Sequence, residues 1–470
     1  MLFPTLNFLL FFLIVALVMA GLRGRFEWGK KFLVAASYFF YAQWNWHFCF
    51  LLLLSSAITY VAGLLIGGSA DEKFRKRVLT AAVGGHLLLL GFFKYFDFFV
   101  GSTNDLMRLL GLNHELPFIE VILPVGISFF TFHGISYVVD VWRGDVAVCR
   151  RFTDMMLYIS FFPQLVAGPI VRASFFLPQL EKAAPRGSIA IGPSLVLILG
   201  GLFKKVVVAN YLATDLVDPV FFDPSSHTAA DLLLAAYGYA VQIYCDFSAY
   251  SDMAIGLAAL LGFRFPRNFN QPYRAARLRE FWQRWHISLS SWLRDYLYKP
   301  LGGNRAGRWK TYRNLMITML LGGVWHGAAW KFVFWGALHG GGLAAERLAE
   351  PWIGKEPTSL PARIISTLLV FHLVCLAWIF FRADSFATAW VYLQTLATFT
   401  PGVEQATPFT LGLILLGLTL QFIPPNLLDR SAAAMACLPL WVQSATAGFG
   451  IAMVEAMGPN GIAPFIYFQF

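Results

Sequence analysis

Charged residues are scarce in this sequence. Of its 470 residues, 13% are charged and 58% are hydrophobic, whereas a soluble domain usually carries about 25% charged residues. Apolar runs of membrane-spanning length, about 20 residues, recur from "LNFLLFFLIVALVMAGL" at the start to "FTLGLILLGLTLQFI" near the end. The composition excludes an ordinary soluble domain and predicts an all-α polytopic membrane protein.

Several chemical motifs are missing as well. The five cysteines are scattered and form no Cys-x-x-Cys pair, which argues against a zinc or redox motif. There is no Gly-x-Ser-x-Gly turn for a serine nucleophile. No His, Asp or Glu lies three or four residues from His326, so we expect no metal site there. The first apolar run has no basic residues before it, so we expect an uncleaved first helix.

About eleven or twelve hydrophobic segments are expected, some of them broken. Two carry prolines and glycines at membrane depth, where broken backbone must lie in protein or line a cavity. We therefore predict re-entrant or broken helices around a central tunnel, in a single membrane-embedded domain over 1–470. These segments are drawn from thirteen apolar stretches, roughly 2–22, 32–46, 48–66, 78–100, 119–140, 153–171, 188–212, 229–262, 313–345, 362–382, 386–398, 408–424 and 436–457. The breaks are expected at Pro124, Gly126, Gly134, Pro163, Gly168 and Pro169.

The net charge of +10 is informative through its position. Basic residues occupy alternate loops, which the positive-inside rule assigns to the cytoplasm, with the N-terminus on the other side. Because this charge lies in short loops beside membrane segments, nucleic acid is not an expected partner. The loop residues are Arg23, Arg25, Lys30 and Lys31, then Lys73, Arg75, Lys76 and Arg77, then Arg143, Arg150 and Arg151.

The longest polar stretch, 263–313, is strongly basic. From Arg264 to Arg313 it holds twelve Lys or Arg against two acids, Glu280 and Asp295. Its middle has helical periodicity, with apolar side chains within about 80° of arc. A basic helix with tryptophans on its apolar face is typical of the membrane interface. The apolar stripe comprises Leu278, Trp282, Trp285, Leu289, Leu293 and Tyr296, and the helix is expected to stop at Pro300.

Two histidines are candidates for chemistry. His286 lies at the edge of the apolar stripe, where an interfacial histidine that caps a neighbour is the ordinary alternative. His326 lies inside "LMITMLLGGVWHGAAWKFVFW", and an ionisable group in a membrane segment suggests function. A core histidine bonded to a carbonyl remains possible. Nearby glycines and alanines favour both close helix packing and room for a substrate, and a neutral imidazole in such a pocket can act as general base on a hydroxyl.

The motif "REFWQRWHISLSSWLRDYLYKPLGGNR", followed later by "GGVWHG", resembles the membrane-bound O-acyltransferases, in particular the bacterial alginate and cellulose O-acetyltransferase branch. The ending "PFIYFQF" is similar to the same branch, and 400–470 is expected to hold C-terminal helices and this tail. The resemblance implies an enzyme of the bacterial inner membrane with a periplasmic N-terminus. It also implies that His326 is the catalytic base and that His286 is a second site histidine near a cytoplasmic donor.

The implied reaction moves an acetyl group from a thioester through the membrane towards an exported polysaccharide, alginate or cellulose. Acetyl-CoA is the expected donor substrate, no cofactor is expected, and a periplasmic acetyltransferase partner would complete the transfer. A D-alanyl-type reaction from a carrier protein is the alternative, because both donors suit a basic cytoplasmic surface. The expected donor-binding residues are Arg284, Arg294, Lys299 and Arg305, and the expected cavity-lining residues are Trp325, Gly323, Gly327 and Asp246.

Tyr467 in the C-terminal tail, and Asp246 and Asp252, each allow two interpretations. Tyr467 could accept the acyl group transiently, or the phenylalanines around it could simply dock the terminus. A transporter or flippase with a histidine relay is the alternative from another class, since broken helices and a buried histidine suit it too. Asp246 and Asp252 are the best relay candidates, although no paired carboxylates lie near His326 in sequence and no inverted repeat is evident.

Overall fold

Helices dominate the structure. It is a computed structural model that describes residues 3–112, 115–119, 121–166, 168–181, 189–305, 307–354, 356–424, 426–459 and 465–466. Within those ranges every regular element is a helix and no β-strand occurs. In the same ranges, four helices are long and apolar enough to cross a membrane: Phe48–Gly68, Glu72–Leu109, Ile191–Phe222 and Leu360–Arg382. The predicted all-α, multi-pass class is confirmed.

The chain divides into two compact units, Met1–Ile189 with Ala258–Phe265, and Ala190–Leu257 with Pro266–Phe470. The prediction of one acyltransferase domain over 1–470 stays a prediction. The longer helices of the first unit are Leu6–Gly21, Phe26–Ala42, Phe48–Gly68, Glu72–Leu109, Ile127–Arg143 and Phe152–Ser160. Those that begin in the second unit include Ile191–Phe203, Ala229–Leu260, Leu278–Arg284, Ile287–Leu293, Arg308–His326, Trp330–Ile353, Leu360–Arg382, Phe386–Leu396, Pro408–Thr419, Asn426–Ala436 and Leu440–Met457.

The two segments rich in proline and glycine are broken in the first unit. Helix Ile127–Arg143 begins only after Gly126, whose φ of 77° favours glycine. The next segment forms two short helices, Phe152–Ser160 and Phe162–Leu165. The break predicted at Gly134 is absent, and the helix continues through this residue. Gly134 instead allows close packing, because an added Cβ would lie 2.5 Å from the Nε2 atom of His86.

Two contacts join the basic segments of the first unit, most of whose basic residues lie within helices and not in loops as predicted. Arg151 pairs with Glu27 at 2.5 Å, and Arg75 donates a hydrogen bond to the Trp142 carbonyl at 2.9 Å. An even number of helices separates each basic loop from the next, so the chain returns to the same side each time. The intervening helices are Phe26–Ala42 with Phe48–Gly68, and Glu72–Leu109 with Ile127–Arg143.

The predicted hydrophobic segment 313–345 is two helices in the second unit. The His326 helix, Arg308–His326, ends at its histidine, and the Trp335 helix, Trp330–Ile353, begins four residues later. The sequence predicted His326 in the interior of one apolar segment, whereas it occupies the last position of a helix.

The two helices cross at very short range through paired glycines. A Cβ on Gly323 would lie 2.2 Å from the Phe332 carbonyl oxygen, and a Cβ on Gly336 would lie 2.4 Å from the Met319 carbonyl oxygen. Neither position tolerates a side chain without separating the backbones. The glycines therefore provide the small-residue contact by which membrane helices approach each other closely.

The basic stretch does not form the single interfacial helix that its periodicity predicts. Helices Leu278–Arg284 and Ile287–Leu293 are separated at Trp285 and His286, and a π-helical turn, Arg294–Tyr298, follows. Its apolar stripe is buried in protein rather than lying at a lipid surface. The buried members are Leu278, Trp282, Trp285, Leu289 and Leu293, whereas Tyr296 is half-buried.

Candidate active site

His326 is enclosed by aromatic side chains. Its ring centroid lies 5.0 Å from that of Trp325, 4.9 Å from Trp335 and 5.3 Å from Phe381, each at a steep interplanar angle. The residue is 3% exposed. The aromatic rings therefore shield the imidazole from water.

The glycines beside His326 pack against the Trp335 helix. A Cβ on Gly327 would lie 2.0 Å from the Phe332 ring, and Gly323 faces the Phe332 backbone. Backbone and ring atoms thus fill the space beside the Cβ positions of Gly323 and Gly327, and the expectation that these glycines line a cavity stays a prediction. Their role in close helix packing, the other half of the expectation, agrees with these contacts.

His286 is fully buried, not interfacial. It has φ 42° and ψ 56°, a left-handed conformation that is uncommon outside glycine. The turn directs the ring into the protein, where its centroid lies 4.6 Å from that of Phe247. Strained backbone of this kind is a feature of functional sites, and it explains why the helical periodicity misplaced His286 at a surface edge.

Asn268 holds the backbone and the ring of His286. The Asn268 carbonyl accepts the Ile287 N–H at 2.9 Å, and Asn268 Oδ1 accepts the Ser288 N–H at 3.1 Å. The same Oδ1 lies 3.3 Å from His286 Nδ1. Because Asn268 Nδ2 donates to Ser251 Oγ at 3.0 Å, the amide orientation is set by its hydrogen bonds. Nδ1 is therefore held between two polar neighbours, because Ser288 Oγ also lies 3.4 Å from it.

Trp325 connects the two histidines. Its ring centroid lies 6.1 Å from His286 and 5.0 Å from His326. His286 Nε2 is buried and has no hydrogen-bond partner among the residues that the structure describes. The two histidines that the sequence singled out are thus brought into one aromatic cluster, with Trp325 in contact with both.

The predicted donor-binding residues belong to the second unit, and three of the four are engaged in ion pairs. Arg284 pairs with Glu280 at 2.8 Å, while Arg294 and Lys299 pair with Asp295 at 2.9 Å and 2.7 Å. Hydrogen bonds from Arg294 to Asp295 raise the pKa of that guanidinium above its ordinary value, so it stays charged. Arg294 and Lys299 remain largely exposed and available to an anion, as does the fourth residue, Arg305.

Asp246 is bonded to its neighbours. Its carboxylate forms a buried ion pair with Lys205 at 2.7 Å and accepts the Ile466 N–H at 2.8 Å. The expectation that Asp246 lines a cavity stays a prediction. The other relay candidate, Asp252, pairs with Lys204 at 2.5 Å. Tyr467 lies outside the described residues.

Several neighbours of the histidines were missed by the sequence analysis. Trp335 lies 4.9 Å from His326, and His339 lies 4.6 Å from Trp335. The only available signal was helical spacing, because Trp335 and His339 are four residues apart on one face. The ring nitrogens of His339 have no partner within the described part of the chain. Asn268 and Phe247 gave no signal, since only the folded chain brings them to His286.

Comparisons with known proteins agree on one family. The family model described as MBOAT, membrane-bound O-acyltransferase family, matches residues 129–390. The chain is 43% identical over 362 residues to the probable alginate O-acetylase AlgI of Azotobacter vinelandii, covering 76% of this chain and 70% of that protein. It is 40% identical over 402 residues to the Pseudomonas aeruginosa probable alginate O-acetylase AlgI, covering 85% and 75%. It is 37% identical over 388 residues to the peptidoglycan O-acetyltransferase of Helicobacter pylori, covering 77% and 72%.

Proposed function

Because the chain belongs to the membrane-bound O-acyltransferase family, we propose that this O-acyltransferase transfers acetyl groups from cytoplasmic acetyl-CoA towards an exported polysaccharide. The acceptor is of the alginate type, with cellulose as the second candidate. The proposal places the enzyme in the bacterial inner membrane with a periplasmic N-terminus, and includes a periplasmic acetyltransferase partner. The names of the alginate and peptidoglycan O-acetylating relatives support acetyl transfer to a polysaccharide.

One observation carries the assignment of residues: two buried histidines, His286 and His326, contact the same indole of Trp325. In the proposed reaction His326 accepts the proton of the attacking hydroxyl as its oxygen bonds to the thioester carbonyl carbon. The carbon–sulfur bond breaks, and the imidazolium returns the proton to the departing thiolate. The products are an acetyl ester and free coenzyme A, so no group is left unaccounted for.

His286 takes the donor side in this proposal. Its buried Nε2 can form a hydrogen bond with the donor or with a bound water. The exposed cations Arg294, Lys299 and Arg305 would attract the coenzyme A phosphates. A D-alanyl carrier protein, the alternative donor, would be attracted by the same cations. The two donors are therefore distinguished by measuring acyl transfer from each of them.

Tyr467 is the proposed first acceptor. Its phenol oxygen would take the acetyl group from the thioester, and the acceptor hydroxyl would then attack that ester and restore the phenol. The preceding residue, Ile466, is bonded to Asp246, beside Phe247 on the same helix, which contacts His286. Full polymer acetylation by Tyr467→Phe would contradict the relay, and simple docking of the tail would then remain.

The test uses purified protein in lipid vesicles with radiolabelled acetyl-CoA. His326→Ala and His326→Gln are expected to lower acetyl transfer by about a hundredfold or more, the usual contribution of a general base. His372→Gln is the matched control, because His372 is exposed and bonded to Tyr237 and the Leu368 carbonyl. Wild-type turnover by His326→Gln would refute the catalytic assignment, and label transfer only from an acyl carrier protein would refute acetyl-CoA as donor.

A further inference from the structure

A buried ion pair in the second unit has a third partner from the C-terminal segment. Lys205 and Asp246 are each 2% exposed, and their charged atoms lie 2.7 Å apart. A buried pair gains little stability over apolar side chains of the same size, because both charges must be dehydrated. Asp246 Oδ2 also accepts the backbone N–H of Ile466 at 2.8 Å, across 220 positions of sequence. The pair therefore has a local function besides stability.

The same helical turn holds the adjacent residue of the C-terminal segment. The Phe465 ring is fully buried, with its centroid 4.4 Å from that of Tyr250 and 5.7 Å from that of Phe247. Asp246, Phe247 and Tyr250 lie within one and a half turns of helix Ala229–Leu260. This part of the helix thus contacts the C-terminal segment in two ways. Asp246 accepts a hydrogen bond from the Ile466 backbone, and Tyr250 and Phe247 contact the Phe465 ring.

That turn also contacts the active-site cluster. Phe247 follows Asp246 directly, and its ring centroid lies 4.6 Å from that of His286, nearly perpendicular to it. The residues that anchor Phe465 and Ile466 are therefore in contact with a histidine of the proposed site. A displacement of about 1 Å at a reacting group can change a rate by about a hundredfold, so an anchor at this place affects chemistry and not only packing.

We propose that Asp246, paired with Lys205, is a positioning residue that fixes the C-terminal segment beside His286 for the transfer of the acyl group to its acceptor. Lys205 holds the Asp246 carboxyl in place, and Phe465 sets the direction of the segment. This inference rests on the proposed function only for the transfer step. The anchoring of Ile466 by Asp246 is a separate statement, which can be tested without any activity.

The test needs a variant that folds. Asp246→Ala leaves the buried Lys205 without its partner, so it is paired with the double variant Lys205→Met and Asp246→Leu. An apolar pair of similar volume is generally tolerated in place of a buried ion pair, but it cannot accept the Ile466 N–H. The matched control is the double variant Lys204→Met and Asp252→Leu, which removes the adjacent ion pair of the same two helices. No described atom of Lys204 or Asp252 bonds to Ile466.

Two readouts separate the anchor from the reaction. In hydrogen exchange of the full-length protein, the Ile466 amide is expected to exchange about tenfold or more faster in the Lys205/Asp246 variant, and unchanged in the control. Acetyl transfer to the polymer should fall about tenfold to a hundredfold with an unchanged Kd for acetyl-CoA.

The exchange rate of the Ile466 amide and the rate of acetyl transfer test the anchor and the positioning role separately. Unchanged exchange at Ile466 overturns the anchor, whatever the activity. Faster exchange with wild-type transfer overturns the positioning role while leaving the anchor. If wild-type protein transfers no acetyl group, the proposed function fails, and the exchange result still decides the anchor on its own.

Discussion

His286 Nδ1 lies 3.3 Å from Asn268 Oδ1, and this contact orients the imidazole ring. Asn268 is therefore expected to act on the reaction through His286. Asn268→Ala removes the acceptor at Nδ1 and should lower acetyl transfer by about tenfold to a hundredfold, as loss of a ring-orienting partner does elsewhere. Asn268→Asp keeps an oxygen there and should retain more activity than the alanine variant.

A nearby asparagine provides the control. Asn270 contacts Arg284 through its backbone alone in the described hydrogen bonds, so Asn270→Ala should behave as wild type. The variants are compared by kcat and KM with labelled acetyl-CoA, after their thermal unfolding in detergent shows that they are folded. Equal turnover of Asn268→Ala and wild type would show that the orientation of His286 does not limit the reaction.

The glycine crossing of the two site helices predicts a graded effect on stability. Gly323→Ala places a Cβ 2.2 Å from a backbone oxygen that cannot move independently. We expect a loss of about 1–3 kcal/mol of unfolding free energy, as for other overpacked sites, and reduced transfer because His326 is displaced. Gly341→Ala, on the Trp335 helix with no atom within 4 Å of the new Cβ, is the control. It should be neutral or slightly stabilising, and an equal loss for both would contradict a packing role for Gly323.

Local composition predicts the ends of three long apolar helices to within two residues, but it places the ends of Glu72–Leu109 at 78 and 100. The expected segments 48–66, 229–262 and 362–382 correspond to helices Phe48–Gly68, Ala229–Leu260 and Leu360–Arg382. The length of an apolar run depends only on the residues within it, so it can be predicted without knowing any distant residue. The same local pattern marked His326 as an ionisable group in an apolar run.

The break at His286 could not be predicted, because distant residues cause it. In a continuous helix the Ser288 N–H would bond to the Arg284 carbonyl. Instead Asn268 Oδ1 accepts the Ser288 N–H, and the Arg284 carbonyl accepts the Asn270 N–H. A segment about eighteen residues upstream thus takes over the hydrogen bonds of one helical turn, while the apolar periodicity on both sides of it stays unbroken.

The first unit contains a pH-dependent contact between its basic loops. Hydrogen bonds from Lys30 and from Arg151 hold the pKa of Glu27 below its ordinary value of 4.5. A carboxyl whose folded pKa is depressed stabilises the protein above its unfolded pKa and loses that effect as pH falls through the folded pKa. The unfolding temperature should therefore drop as the pH falls below about 4.5, and less so in Glu27→Gln. Parallel curves for the two proteins would show that Glu27 carries no part of the acid sensitivity.

Asp295 competes for the cations that are proposed to bind the donor. It pairs with Arg294 at 2.9 Å and with Lys299 at 2.7 Å, and both cations are otherwise largely exposed. Asp295→Asn removes this competing charge and should lower the KM for acetyl-CoA. Arg294→Gln and Lys299→Gln should each raise that KM by about fivefold, as expected for about 1 kcal/mol of attraction near water. These effects should shrink as salt is added, because salt screens exposed charges.

Arg430, elsewhere on the second unit, provides a control that distinguishes a local effect of charge on the KM from an effect of the net charge of the protein. Arg430 is exposed on helix Asn426–Ala436, and Arg430→Gln changes the net charge by the same amount. It should leave the KM for acetyl-CoA unchanged at every salt concentration. If Arg430→Gln raises the KM as much as Arg294→Gln, the attraction belongs to the protein's overall charge. If Asp295→Asn raises the KM, Asp295 orients the two cations for the donor instead of competing with it.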